Sequence, residues 1–398
     1  MIDKHITVDE IRWRSVLPWL NLLRAAPLAI RCSQVLLAML AVLAMQVGYW
    51  VLFNQPIGDP INTVGRLGNP SKILFAIERG LIHRGEGSHS IGDWLSLQLG
   101  IYDAWPWADA WPWATVTSAA AELFEVRDSW PSLAAAWSNL LWSLLVWAIF
   151  GGAITRIVAV RFARDESVSM LTALKFSSRN WQSYLYGPLL PMLGVGLFAG
   201  LGAYAGTVNR WWGVETGVVF FCLSAVLMVC GIGMAFFLLL MALSWPLMVA
   251  AISTEGSDGF DGLSRAFGYV MNRPWYFAFL VGMTHFIGIV LLVVSRLFAV
   301  FAMQLAQWSS GIIGLSSSQF LPSIAFCMVF AVMASYFWSA TTIVYFLLRQ
   351  SEDGTPLDHA YIPGPPPKPE PLPVVGVAAS QQPVIERPSA GSSEMKPG

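Results

Sequence analysis

Residues 217–243 read GVVFFCLSAVLMVCGIGMAFFLLLMAL, and no side chain among them carries a charge. A helix needs about 20 such residues to cross roughly 30 Å of hydrocarbon, and in lipid only helices and closed barrels satisfy the backbone. The alternation of apolar and polar residues that marks a barrel strand is absent here. The stretch therefore predicts a spanning α-helix. Comparable runs flank it at 33–53, 133–159, 184–206, 277–301 and 322–348. The expected fold is all-α, a polytopic transmembrane helix bundle of about six spans with interfacial amphipathic helices.

Composition points the same way. Of 398 residues, 56% are hydrophobic and 12% charged, roughly half the charged share of a soluble domain, so lipid must be the main solvent. The 23 bases and 24 acids leave a net charge of -1, which gives no reason to expect a nucleic-acid partner. Cys32, Cys222, Cys230 and Cys327 lie in or beside apolar stretches without CxxC spacing. They are expected to be small buried hydrophobes, neither disulfides nor zinc ligands.

Basic residues set the orientation. Lys4, Arg12, Arg14, Arg24 and Arg31 precede the first span, and Arg161, Arg164, Lys175 and Arg179 separate the second from the third. Arg265 and Arg273 follow the fourth and Arg349 follows the sixth, whereas the short opposite loops hold only Arg210. By the positive-inside rule both termini are cytoplasmic and the protein is a multi-pass component of the inner membrane. The first run lies too far from the N-terminus, and lacks the A-x-A site, for a cleaved signal peptide, so it reads as a retained anchor.

The chain thus divides into a cytoplasmic segment 1–32, a first span 33–53, a Trp-rich extracytoplasmic loop 54–132, two hairpin units at 133–206 and 207–321, a last span 322–348, and a tail 349–398. Within the second unit, Pro246 follows Ser244 and Trp245. A proline removes an amide and clashes with the preceding turn, so the fourth span is expected to end there, with 244–252 interfacial or re-entrant. The tail, with GPPPKPEPLP and few large apolar residues, is expected to be disordered, as a solvated spacer or a PxxP docking segment.

The loop carries Trp94, Trp105, Trp107, Trp111, Trp113 and Trp130. Trp favours the water–lipid boundary, so an interfacial belt or a loop packed on the bundle is the leading reading, with a stacked-aromatic ligand site as its alternative. In KILFAIERGLI, Ile73, Leu74, Ile77 and Leu81 share one helical face and predict a short surface helix.

The connectors after the second and fourth spans repeat a pattern: Glu166, Ala173, Leu174 and Trp181 in one correspond to Glu255, Gly262, Leu263 and Trp275 in the other. Each predicts an interfacial amphipathic helix. Phe260, Leu263, Phe267 and Val270 trace one face behind an Asp258 N-cap with Asp261 at N3; Val168, Leu171, Leu174 and Ser178 trace the other. Lys175, Arg179, Arg265 and Arg273 would then meet anionic lipid head groups at roughly 1 kcal/mol each. The stretches TEGSDGFDGLSRAFGYVMNRPW and ITRIVAVRFARDESVSMLTALKF resemble uncharacterised bacterial polytopic membrane proteins and, more distantly, the membrane domain attached to some glycerophosphoryl diester phosphodiesterases. The resemblance implies no activity, because in that family hydrolysis belongs to a separate soluble domain that has no counterpart here.

The sequence offers no HExxH, phosphate loop or nucleophile elbow, so no catalytic residue, cofactor or metal is expected. The spacing of Gly196, Gly200, Gly202 and Gly206 suits close helix packing. His285 and Arg296 are the candidate intramembrane polar residues: they share a helix face about 16 Å apart, and could line an ion path or merely bond a neighbour and snorkel. The leading expectation is a non-enzymatic membrane organiser or accessory factor with the bilayer and a membrane protein as partners. A small-solute or lipid transporter is the alternative. A lipid enzyme using Glu166 and Glu255 as acid and base comes third.

Overall fold

The computed structural model describes residues 17–53, 112–124, 130–212, 218–312 and 320–361. Every regular element among them is helical: α1 (Pro18–Ala29), α2 (Cys32–Phe53), α3 (Pro112–Ala121), α4 (Trp130–Val146), α5 (Gly152–Arg164), α6 (Met170–Arg179), α7 (Trp181–Trp212), α8 (Val218–Glu255), α9 (Gly259–Asn272), α10 (Pro274–Ile312) and α11 (Phe320–Asp353). Five continuous helical stretches are long and apolar enough to cross a membrane, and six if α1 and α2, bent by 73° at their junction, count as one. The protein is a multi-pass transmembrane helix bundle. The surface helix expected at 72–82, Trp94, Trp105, Trp107 and Trp111 of the Trp-rich loop, and the tail beyond 361 lie outside the described residues, whereas Trp113 and Trp130 lie within them.

The spans run longer than the apolar runs that announced them. The largest departure is α8, which does not end at Pro246 but continues through it to Glu255. Pro246 cannot donate to the carbonyl of Ala242, four residues back, and an unpaired carbonyl would favour a break. The indole Nε1 of Trp113 on α3 donates to that carbonyl at 3.0 Å. A donor 129 residues away thus replaces the missing bond, and 244–252 continue the helix as buried residues packed within the bundle, with no fold-back there.

The second span is also a composite. Between α4 and α5 it passes through a π-helical turn at Trp147–Gly151. Here the Trp338 indole lies so close that a Cβ on Gly151 would meet its Cε2 at 2.6 Å, so only glycine fits. Trp147 is fully buried beside it and donates its Nε1 to Thr115 Oγ1 at 2.8 Å, which ties α3 to the bundle a second time.

The N-terminal segment is folded too. Leu22, Ala25, Leu28 and Ala29 of α1 are buried, Trp19 meets Phe279 edge to face, and Ser335 Oγ of α11 donates to the Ala29 carbonyl at 2.8 Å. At the other terminus α11 extends to Asp353, and 354–360 fold back so that Ala360 is buried. The tail therefore begins later than 349: a last helical turn and a packed return precede it.

The glycines do not pack as their spacing suggests. Gly196, Gly200 and Gly206 face open space, whereas Gly194 lies under Phe237, Gly233 under Phe198, and Gly202 near Cys230. The C-terminal half of α7 and the N-terminal half of α8 thus pair through aromatic caps over glycines. Their remaining apolar surface, including exposed Cys222, faces outward to lipid. All four cysteines are free and only Cys230 is buried; in lipid an exposed apolar position suits cysteine as well as a buried one does.

Candidate functional site

Both connectors are elbows: a span ends, a short helix follows, and the next span begins. Asp165, with φ 54, and Gly256, with φ 68, turn the chain in left-handed conformation after α5 and α8. Each elbow helix is then capped by a side chain. Ser169 Oγ accepts the Thr172 amide at 3.2 Å, and Asp258 Oδ1 accepts the Asp261 amide at 2.8 Å. The two caps are separated by the same interval as Glu166 and Glu255.

The faces these helices bury overlap the expected ones only in part. On α6 the buried residues are Ala173 and Ser177, and on α9 they are Gly259, Gly262, Ala266, Tyr269 and Val270; of the expected faces Val270 is buried and Leu174 and Leu263 are half-buried, while Leu171 and Phe260 point outward. Small side chains win because the helices sit backbone to backbone on their neighbours. A Cβ on Gly259 would collide with the Ser183 carbonyl, and one on Gly262 would press Ile252 Cγ1 at 3.0 Å. Close approach decides the rotation where each helix begins, and on α9 Tyr269 and Val270 fill the core at its end.

The elbow end carries a dense polar network centred on Glu255. A carboxylate at a helix C-terminus opposes the helix dipole and needs cations to hold it there. Glu255 Oε1 accepts from Tyr345 Oη at 2.6 Å and Arg349 Nη1 at 3.2 Å, and Oε2 accepts from Arg265 Nη1. Arg265 also bonds Asp261 at 3.0 Å, and the Asp261 and Glu255 carboxylates push its guanidinium above the usual arginine range despite burial. Around this centre Tyr269 Oη donates to Asp353, while Arg273 Nε and Asn272 Nδ2 both reach Glu352 at 2.9 Å. Burial and then the Asp353 carboxylate raise the Tyr269 phenol above its normal value. One cluster thus fastens the ends of α8, α9 and α11.

Arg349 extends the network to the returning chain. Its side chain is 4% exposed, lies over Phe346, and donates Nη2 to the carbonyl of His359 at 2.5 Å. Arg164 Nη2 reaches the Ala360 carbonyl at 3.2 Å, and Arg24 of α1 pairs with Asp165 at 3.2 Å. Both elbows, α1 and the end of α11 therefore share one end of the molecule.

A second network lies inward. Ser253 Oγ meets Thr155 Oγ1 at 2.5 Å and Tyr184 Oη at 2.8 Å, and Arg156 Nη1 donates to the Ser253 carbonyl at 2.8 Å while stacking 4.4 Å over Phe176. Arg156 is buried and does not snorkel. Together these contacts join α5, α7 and α8 beneath the first elbow.

No protein-family model, curated protein or solved structure matches this chain.

The sequence-selected residues distribute unevenly over this geometry. Glu255, Arg265 and Arg273 enter the network; Glu166, Lys175 and Arg179 are exposed, and no hydrogen bond joins Glu166 to Glu255. Arg265 and Arg273 are held in ion pairs, with side chains that stay 41% and 48% exposed. Leu174 and Leu263 are half-buried at matching positions, and Trp181 and Trp275 are exposed as each next span begins. His285 donates Nδ1–H to the Val281 carbonyl of its own helix at 2.7 Å. It lines a cavity of about 800 Å³ between α8, α10 and α11, along with Pro246, Thr284, Phe337 and Thr341. Arg296 is buried on the same helix. Arg349 and Tyr345 were missed as site residues: an arginine just after an apolar run reads as an orientation signal, and nothing local links it to a glutamate 94 residues earlier.

Proposed function

We propose that this protein is a non-enzymatic organiser of the inner membrane, with both termini and both elbows at the cytoplasmic face. The observation carrying this reading is a rigid elbow with an apolar rim: α9 is clamped by ion pairs to α8 and α11, yet Phe260 on it is 70% exposed and Trp275, where α10 begins beside it, 88% exposed. Exposed large apolar residues on a fixed frame suit docking of another membrane component. Orientation is supported by the gathering of Arg24, Arg164, Arg265, Arg273 and Arg349 at the elbow end. The glutamate pair of a lipid enzyme gains no support, since Glu255 is held by three donors and Glu166 lies at the other elbow. The cavity beside His285 favours a second reading, a carrier for a small apolar solute or lipid.

Isolation in native lipid with an amphipathic polymer distinguishes them. The organiser reading predicts a stoichiometric protein partner that is lost when Phe260 and Trp275 are both changed to Ser. A single enriched solute or lipid without a protein partner would favour carriage and contradict it.

A further inference from the structure

Among the described residues Arg296 is the least explained charge. Its residue is 6% exposed, and its Nε and Nη2 have no hydrogen-bond partner among the described residues. Burying a guanidinium without a counter-charge is unfavourable by several kcal/mol, so such groups are retained where something pairs with them. The described acids with placed side chains, Asp165, Glu166, Glu255, Asp258, Asp261, Glu352, Asp353 and Asp358, all belong to the elbow end. Arg296 lies 22 residues beyond Pro274, about 33 Å along α10 by helical rise, and is out of their reach.

That height has meaning in a bilayer. Measured from Pro274, Arg296 stands about one hydrocarbon thickness, roughly 30 Å, along a candidate span that runs on to Ser309. Tyr336 Oη donates to the Thr284 carbonyl at 2.7 Å, which fixes the pairing of antiparallel α10 and α11. Twelve residues on, about 18 Å along each helix, Arg296 comes level with Ile324, one turn inside the start of α11. The positive end of that helix adds to the field of the guanidinium. Nε and Nη2 form the side of the guanidinium that donates two parallel hydrogen bonds, and their natural acceptor is an anion with two oxygens on one centre.

We propose that Arg296 is the cationic centre of a buried site for a phosphate-bearing anion, presented by a phospholipid or free in solution. His285, about 16 Å away along the same helix, is not part of it.

The full-length protein in maltoside micelles supplies the test, read as the thermal unfolding midpoint during titration with dioctanoylphosphatidylglycerol, inorganic phosphate or dioctanoylglycerol. A saturable rise with either phosphate-bearing probe and none with dioctanoylglycerol is expected. A rise with inorganic phosphate identifies a free anion, and a rise with the phospholipid alone identifies a head group. Arg296→Gln should weaken the apparent affinity at least about tenfold while eluting as wild type, and Arg296→Lys, which keeps the charge without the fork, should fall between. If Arg296→Gln does not fold, the lysine variant decides by the same criterion. Wild-type affinity in the variants, or a wild-type midpoint that neither phosphate-bearing probe moves, would overturn the proposal.

Discussion

Replacing Glu255 with glutamine removes one charge from the centre of the elbow network while keeping its shape. Three donors lose a charged acceptor: Tyr345 Oη, Arg349 Nη1 and Arg265 Nη1. Hydrogen bonds to charged groups contribute about 1 kcal/mol more than neutral ones, so three contacts imply a loss of about 3 kcal/mol. The Arg265 share is discounted, because that side chain is 41% exposed and keeps Asp261. Arg349 has no such relief beyond carbonyls, so the net loss should be about 2–3 kcal/mol. Reversible unfolding in mixed dodecylsulfate–detergent micelles measures it. Arg265→Gln should cost under about 1 kcal/mol in the same assay. Adding Arg349→Met to Glu255→Gln should recover at least about 1 kcal/mol, because the stranded cation is then gone. A Glu255→Gln protein within about 0.5 kcal/mol of wild type would refute the clamp.

Trp113→Phe should destabilise by about 1–2 kcal/mol by stranding the Ala242 carbonyl, and the same change in a Pro246→Ala background should be nearly neutral, since the helix then supplies its own donor. Gly259→Ala should cost more than about 2 kcal/mol through collision with the Ser183 carbonyl, whereas Gly268→Ala, with nothing within 4 Å, should stabilise by up to about 1 kcal/mol; thermal midpoints compare the two. The Tyr269 phenol is raised by burial and by Asp353, so its contribution is fully present below the ordinary tyrosine value of about 10 and fades as pH rises above it. Tyr269→Phe should therefore flatten the alkaline fall in stability by up to about 1.4 kcal/mol per pH unit, as chemical unfolding between pH 9 and about 12 would show.

The spans were legible because they obey a length rule that lipid enforces on each segment independently. The cap at Asp258 was legible because capping is local. Local reading also explains the failures. At Pro246 the expected break is cancelled by Trp113, a residue from another element with no sequence mark of its partner. At α6 and α9 hydrophobic spacing nominated the bulky face, but the helices approach so closely that Ala173, Gly259, Gly262 and Ala266 must turn inward. Glu255 stood out by its repeat position, while its role depends on Tyr345 and Arg349 at the end of the last span.

Both elbows must lie on one side of the membrane. An even number of spans separates them, and single cysteines in a cysteine-free background test this directly. Ser178 and Ser264 are exposed on the two elbow helices, and Trp211 is exposed at the opposite end of α7. With a membrane-impermeant maleimide on intact cells, Trp211→Cys should label, while Ser178→Cys and Ser264→Cys should label only after permeabilisation. Labelling of one elbow but not the other in intact cells would contradict the architecture, and labelling of both would reverse its orientation.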